Sequence, residues 1–374
     1  MSIRLRLVLM MTMIMALFFG FLHLFIPGES LYNFERLHIF LFNLVSGGTI
    51  LIYYSENQKK MSKKTMLFFG LSITYALLAF KKIYMPAVVI SFILAGIVEI
   101  IRFELFSLFP WGFFDRREPV SRKFHQASLL CLSMGLIISG LVIVNNQYLH
   151  LVCYEKLKLD TFFLGFSFPL SLITMSVIFS FMKGDTSRLI VRLKNAGFWN
   201  VNIGVIIFFM FILFGQLIPQ LVVTTILFMS VVLIYYLYKD LGERVQQKNF
   251  LTSGMFFLWY TAVTGIIYVA LEFKPDYSHE KMKYLLRMHS FASLYGWNLS
   301  GLAVICRKDE FPIRMHSPSI IAIHWITAIF LAPLGTWFRP LALVALGSYI
   351  YILYVMLFSK GGEVILKPER ANTG

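Results

Sequence analysis

Charged residues are scarce in this sequence of 374 residues, where Asp, Glu, Lys and Arg together make up only 14%. A soluble globular domain has nearer a quarter of charged residues, and about half of its residues are apolar. Here 58% are hydrophobic and the mean hydropathy is +0.73. The apolar residues fall into runs of roughly 20, the length that an α-helix needs to cross the hydrocarbon core of a bilayer. The composition therefore excludes a soluble protein and predicts one that crosses a membrane many times.

The apolar runs also lack the strict alternation of apolar and polar residues that is typical of a membrane β-barrel. Because a spanning segment must satisfy its own backbone hydrogen bonds, the runs are predicted to be α-helices. We therefore expect an all-α, polytopic membrane protein that forms one integral membrane domain. The twelve predicted spans cover residues 7–27, 36–54, 65–80, 84–103, 124–144, 161–182, 199–216, 219–238, 250–271, 284–305, 317–334 and 340–358.

Cysteine is rare as well, since the chain has only Cys131, Cys153 and Cys306, and no two of them lie close in sequence. That spacing suggests neither a disulfide nor a thiolate metal site. The sequence has no phosphate-binding GxxxxGK[ST] loop and no HExxH zinc helix. Its spans also hold too few carboxylates for a di-iron helical bundle, which needs several glutamates on facing helices. These absences leave the histidines as the main candidates for chemistry.

Basic residues outnumber acidic ones by 34 to 19, which gives a formal net charge of +15. When the N-terminus is placed inside, 24 of the 34 Lys and Arg residues fall into cytoplasmic segments. The positive-inside rule then predicts an even number of spans, with both termini in the cytoplasm. Because the charge is spread over several short segments, it indicates topology and not nucleic-acid binding. We expect a multi-pass protein of the inner (cytoplasmic) cell membrane, in contact with membrane lipid.

Ionisable residues inside membrane spans are costly, so each one is a candidate for function. His38, His289 and His324 lie inside predicted spans, and His23 lies near the outer end of the first span. Spans two and ten both enter from outside, with His38 and His289 about one turn in, so the two imidazoles lie at nearly the same depth. His324 lies near mid-membrane, where we expect a buried histidine bonded to Ser or Thr, with a metal ligand or a proton relay as alternatives.

Two histidines at one depth, on helices far apart in sequence, can hold a planar metal cofactor between them. Haem iron takes two axial imidazoles, and helical bundles build such sites from facing helices. Both histidines also follow an arginine by two residues, in Arg36-Leu-His38 and Arg287-Met-His289. An arginine at the outer boundary can form bidentate contacts with a haem propionate. This pattern predicts a haem held by two imidazoles, with His23 and His324 as weaker candidates for metal ligands. For each histidine alone, the competing interpretation is a hydrogen bond to a neighbour at the interface.

The two stretches "ERLHIFLFN" and "RMHSFASLYGWNLSGL", at the starts of spans two and ten, resemble motifs of the haem-copper oxidase and nitric oxide reductase superfamily. The catalytic subunit of that family has twelve spans with its N-terminus inside. The resemblance implies that His38 and His289 hold the low-spin haem b of such a subunit. It covers the number of spans and these two short motifs, and it does not extend along the rest of the chain.

The sequence departs from that family where the second, catalytic site would lie. The position that holds the ligand of the high-spin haem is Arg287 here, and spans six and seven contain no histidine for the copper ion. The resemblance therefore implies a divergent member that has lost its reaction centre. We expect no oxygen-reducing or nitric-oxide-reducing activity, but an electron relay that works with redox partner subunits or a cytochrome.

Two other interpretations remain open at the level of sequence. The protein could handle metal or haem, or transport a ligand that the outer histidines bind reversibly. It could also be a structural subunit that packs a larger complex without a cofactor. Reduced-minus-oxidised spectra and metal content separate these three possibilities.

Overall fold

The computed structural model describes residues 1–22, 24–26, 33–58, 60–152, 156–157, 163–184, 187–243, 245–311 and 313–360, without the side chains at 245, 246 and 316. Within these ranges the chain is helical and contains no strand. The twelve main helices are α1 (Ile3–Leu22), α2 (Phe34–Glu56), α3 (Lys63–Phe80), α4 (Tyr84–Leu105), α5 (Val120–Leu149), α6 (Phe163–Ser180), α7 (Arg188–Leu213), α8 (Leu217–Leu241), α9 (Val245–Leu271), α10 (279–306), α11 (Pro318–Gly335) and α12 (Arg339–Phe358).

Eleven of these helices are long and apolar enough to cross a membrane. The remaining one, α10, is also long, because its segments His279–Phe291, Ala292–Asn298 and Leu299–Cys306 follow one another without a break. Its first half is polar and includes Glu280 and Arg287. The prediction of an all-helical, polytopic membrane protein is confirmed, and eleven of the predicted spans are supported by the length and apolarity of their helices.

Several helices extend beyond the predicted spans where a side chain caps their first turn. The hydroxyl of Ser187 accepts a hydrogen bond from the amide of Ile190 at 3.3 Å. Helix α7 therefore begins at Arg188, well before the predicted start of span seven at residue 199. Its early turns are basic, and long basic side chains can keep their charge at the membrane surface while the helix enters the bilayer. In contrast, α1 ends at Leu22, five residues before the predicted limit of span one.

Three helices, α2, α6 and α10, lie in the centre of the bundle. Small residues permit this close packing: Gly47 of α2 faces Leu170 of α6, and Gly301 of α10 faces Thr174 of α6. A β-carbon at Gly301 would lie only 1.8 Å from the Thr174 hydroxyl. Small residues allow helices to approach closely in membranes, where dispersion contacts are a main source of helix association. The central helices are therefore held by steric fit.

All three central helices contain a π-helical segment, in which the backbone is wound more loosely than in an α-helix. These segments are Phe40–Gly48 in α2, Phe163–Ser167 in α6 and Ala292–Asn298 in α10. Such segments are rare and occur frequently at functional sites. The segments in α2 and α10 begin two and three residues after His38 and His289, respectively.

The first and last helices meet at one end of the bundle, which we call the N-terminal face. There the guanidinium of Arg6 donates to the backbone carbonyl of Leu357 at 2.9 Å and to the carboxylate of Glu310 at 2.8 Å. The start of α1 and the end of α12 are thus on the same side, as an even number of spans requires. The opposite end, where α2 and α10 begin, is called the histidine face.

Candidate histidine site

His38 lies in the first turns of α2 and turns its ring toward α1. Its Nδ1 atom is 2.9 Å from the backbone carbonyl oxygen of Ala16. Because a carbonyl can only accept a hydrogen bond, Nδ1 must carry the ring proton in the neutral form. The lone pair of the imidazole is then on Nε2. The α1 backbone thus fixes both the tautomer and the orientation of the ring.

The His38 ring fits against α1 because residue 20 is glycine. A β-carbon at Gly20 would lie 2.5 Å from Nδ1 of His38, which is closer than non-bonded atoms approach. Gly20 lies four residues after Ala16, one helical turn further along the same face of α1. Sequence reasoning did not include this glycine, although the spacing Ala16-x-x-x-Gly20 before a histidine-bearing helix is visible in the sequence.

His289 packs against the preceding helix, α9, in the same way as His38 packs against α1. Its Nδ1 atom is 2.9 Å from the backbone carbonyl oxygen of Thr261, and the hydroxyl of Thr264 lies 3.4 Å from the same nitrogen. A β-carbon at Gly265 would lie 3.3 Å from Cε1 of His289. Here too the glycine follows the carbonyl acceptor by four residues. No hydrogen bond to Nε2 of His289 comes from any residue that the structure describes.

The two histidines therefore share one local arrangement, although no sequence repeat relates them. In each case an imidazole rests on a glycine of the preceding helix and donates Nδ1–H to the carbonyl one turn earlier. Metal-ligating histidines almost always donate their other ring N–H to a carbonyl, carboxylate or water. In both His38 and His289 it is Nδ1 that makes this carbonyl bond, so Nε2 carries the lone pair of the neutral ring.

Tyr295 of α10 is the residue that joins the two central helices beside His38. Its hydroxyl oxygen is 3.1 Å from both ring nitrogens of His38. A point equally close to both nitrogens cannot lie in the ring plane, since it would overlap Cε1 between them. The hydroxyl therefore sits over the face of the imidazole and does not lie along the in-plane lone pair of Nε2. Sequence reasoning missed Tyr295, because a tyrosine in an apolar span carries no distinctive signal.

Aromatic rings surround Tyr295, whose side chain is buried. The ring of Tyr295 contacts Phe42 and Tyr349 at centroid distances of 5.0 Å, and it stacks on Phe291 at 5.5 Å. Phe291 in turn stacks on Phe21 of α1 at 6.2 Å. Among the described residues, no hydrogen bond or ring contact connects His38 directly with His289. The aromatic cluster lies between the helices that carry them.

The two arginines occupy different positions. Arg36 is exposed at the start of α2, where its amide donates to the Asn33 side chain at 2.9 Å. Arg287 is half-buried; its guanidinium donates to the Thr336 hydroxyl at 2.9 Å and lies over the ring of Trp337 at 5.1 Å. Both thus lie at the histidine face, but only Arg287 is fixed by neighbouring side chains.

The weaker candidates do not join this site. His23 lies outside the described residues. His324 is buried, as expected, but its Nε2 donates to the backbone carbonyl of Tyr295 at 2.6 Å instead of bonding to Ser or Thr. Its ring is enclosed by Phe250 and Phe257, and its Nδ1 has no hydrogen-bond partner. The expected Ser or Thr partner was wrong because the looser π-helical backbone of α10 presents a carbonyl there.

At the opposite end of the bundle, His125 lies near the N-terminal face. Its Nε2 is 2.7 Å from the hydroxyl of Ser55, and its ring lies between Tyr54 and Phe106. Its proton-bearing nitrogen is therefore Nε2, because the Ser55 hydroxyl already donates to the Leu51 carbonyl. His125 thus has the opposite tautomer to His38 and His289, and it serves as a natural control for them.

The chemistry of the two neutral imidazoles is that of axial haem ligands. Across the described ranges, no group of three or more His, Cys, Asp or Glu side chains could hold a metal ion. A haem needs only two protein ligands, because its porphyrin supplies the other four.

Comparison with known proteins does not identify the site, since no family model, curated protein or solved structure matches the chain.

Proposed function

We propose that this chain is a membrane haem protein that holds one low-spin haem b through His38 and His289 and relays electrons at the histidine face. The observation that carries the proposal is the matched arrangement of the two imidazoles. Each donates Nδ1–H to a backbone carbonyl at 2.9 Å, and each keeps Nε2 for coordination. A haem held by two imidazoles supplies one-electron redox chemistry and has no open position for a substrate.

The protein groups around this site have defined tasks in the proposal. The carbonyls of Ala16 and Thr261 orient the rings and raise the basicity of Nε2. Tyr295 and its aromatic neighbours keep water away, which favours electron transfer over side reactions. Arg36 and Arg287 supply positive charge at the histidine face for the propionate groups.

The proposal extends to the orientation of the protein and to its partners. The histidine face is the outer face, both termini are cytoplasmic, and the protein lies in the inner membrane of the cell. Since no catalytic site for oxygen or nitric oxide is present in the sequence, the electrons pass to or from a partner subunit or a cytochrome. Labelling of Lys81→Cys but not Lys60→Cys in intact cells by an impermeant maleimide would support this orientation, and the reverse pattern would exclude it.

The test of the proposed function is the haem and metal content of the purified protein. We expect about one haem b per chain in the wild type, with the content lost or strongly reduced in His38→Ala and in His289→Ala. The matched control is His125→Ala, since this histidine is also bonded between helices but lies near the other face. Its haem content should equal that of the wild type.

Two results would contradict the proposal. Bound copper or zinc without haem would indicate a metal-handling or transport protein instead. Neither haem nor metal, in protein purified from cells supplied with both, would indicate a structural subunit.

A further inference from the structure

Among the described residues, the buried and half-buried arginines are paired with carboxylates, with one exception. Arg6 and Arg307 both contact Glu310, at 2.8 Å and 2.9 Å, and Arg102 contacts Glu99 at 2.7 Å. Arg287 is half-buried too, yet no ion pair joins it to any carboxylate within the described residues. A charge removed from water is costly unless an opposite charge or several hydrogen bonds compensate it.

The guanidinium of Arg287 lines a cavity of about 410 Å³ that opens at the histidine face. Its Thr336 and Trp337 contacts use one N–H and one face of the group, and its remaining N–H donors face no protein acceptor among the described residues. The cavity is also lined by Glu280, Lys281, Lys283, Tyr284, Thr336 and Trp337.

Positive charge dominates this cavity, because three cationic side chains lie in it with a single carboxylate. Glu280 is 3.8 Å from Lys283, and it forms no ion pair with Arg287. Glu35 of α2 is the other carboxylate close enough to act on Arg287 electrostatically. Neither neutralises the guanidinium by direct contact, so the cavity keeps an excess of positive charge suited to an anion with several acceptor oxygens.

The position of the cavity identifies the source of that anion. Tyr284 and Trp337 are 47% and 45% exposed, and Phe338 next to them is 58% exposed. Large exposed aromatic side chains at helix ends mark the level of the lipid headgroups. Arginine and lysine side chains at this level can contact the phosphate of a lipid headgroup directly. We propose that the pocket formed by Arg287, Lys281, Lys283 and Trp337 binds the phosphate group of an anionic phospholipid, with Arg287 as its counter-ion.

The test is a titration of the purified full chain with phosphatidylglycerol, followed by native mass spectrometry, with phosphatidylcholine as the zwitterionic reference. We expect Arg287→Gln to weaken phosphatidylglycerol binding about tenfold or more, since it removes charge-assisted hydrogen bonds, which are roughly twice as strong as neutral ones. Arg287→Lys should bind with intermediate strength, because it keeps the charge but loses the planar fork. Lys81→Gln, which removes an exposed cation at the same face but outside the pocket, should bind like the wild type.

Other outcomes overturn the proposal. Equal losses in Arg287→Gln and Lys81→Gln would mean that only the net charge of the face matters. Arg287-dependent binding of inorganic phosphate, without preference for the lipid, would assign the pocket to a soluble anion. If Arg287→Gln fails to fold, Lys283→Gln tests the same pocket from a partly exposed position and should weaken binding by a smaller factor. Because the proposed function assigns Arg287 to a haem propionate, the titration is also carried out on His38→Ala, where lipid binding tests the pocket separately from haem binding.

Discussion

At the scale of single residues, the candidate site depends on two glycines as much as on its two histidines. Gly20 and Gly265 provide the space in which His38 and His289 reach a backbone carbonyl. The two spaces differ in tightness, since the missing β-carbon would lie 2.5 Å from His38 but 3.3 Å from His289. The geometry therefore predicts that alanine at position 20 displaces its histidine ring further than alanine at position 265 does.

We expect Gly20→Ala to displace the His38 ring from the Ala16 carbonyl and to reduce the haem content strongly. Gly265→Ala should have a smaller effect, because a shift of a few tenths of an ångström relieves its contact. The matched control is Gly96→Ala in α4, where an added β-carbon meets nothing within 4 Å. It should leave the haem content unchanged and stabilise the helix by about 0.5–1 kcal/mol. Equal haem content in Gly20→Ala and Gly96→Ala would contradict this account of His38.

At this scale the sequence alone singles out His38 and His289, but not the residues that contact them. An imidazole in an apolar run stands out because ionisable residues are costly in a membrane. Tyr295, Gly20 and Gly265 do not stand out, since tyrosine and glycine are common in spans and their roles depend on which helices touch. The pairing of Arg287 with Thr336 and Trp337 likewise joins residues that are far apart in sequence.

At the scale of helices, the arrangement of α2, α6 and α10 depends on close steric fit. The apolar runs predicted these helices, and polar residues such as Asn298 within them did not obscure the pattern. Their central position could not be predicted, because periodicity shows how apolar a helix is but not which neighbours it has. The π-helical segments were also missed, since no simple sequence pattern distinguishes them from an α-helix.

We expect Gly301→Ala to destabilise the protein by about 3 kcal/mol, at the upper end of the usual cost of overpacking. The new β-carbon would lie 1.8 Å from the hydroxyl oxygen and 2.6 Å from the β-carbon of Thr174, and the latter cannot rotate away. The control is Gly347→Ala in α12, where no atom lies within 4 Å. Thermal unfolding in detergent, followed by circular dichroism, compares the two. Equal midpoints would show that α6 and α10 do not pack as closely as the structure has them.

At the scale of the whole molecule, the first, tenth and last helices are joined by one carboxylate at the N-terminal face. Glu310 contacts Arg6 at 2.8 Å and Arg307 at 2.9 Å, and Arg307 also donates to the Ser359 carbonyl at 2.6 Å. Burial lowers the pKa of the Arg307 guanidinium, and the charge of Glu310 acts to raise it again. The carboxylate thus keeps two buried cations stable near the end of α12.

Glu310→Gln should lower the free energy of unfolding by roughly 3 kcal/mol, because it leaves two buried guanidinium groups without a counter-charge. The control is Glu104→Gln, which removes an exposed carboxylate paired with Lys64 and should cost less than about 1 kcal/mol. Unfolding by denaturant in detergent micelles measures both. A loss at Glu310 no larger than that at Glu104 would show that the face is held by apolar packing alone.

The central claim is that His38 and His289 together hold one redox-active haem b. The most direct test is the reduced-minus-oxidised optical spectrum of the purified protein. The account predicts the sharp bands of a b-type haem with two histidine ligands, lost in His38→Ala and in His289→Ala and retained in His125→Ala. A spectrum without haem bands in the wild type, or haem bands that survive in both single variants, would contradict it.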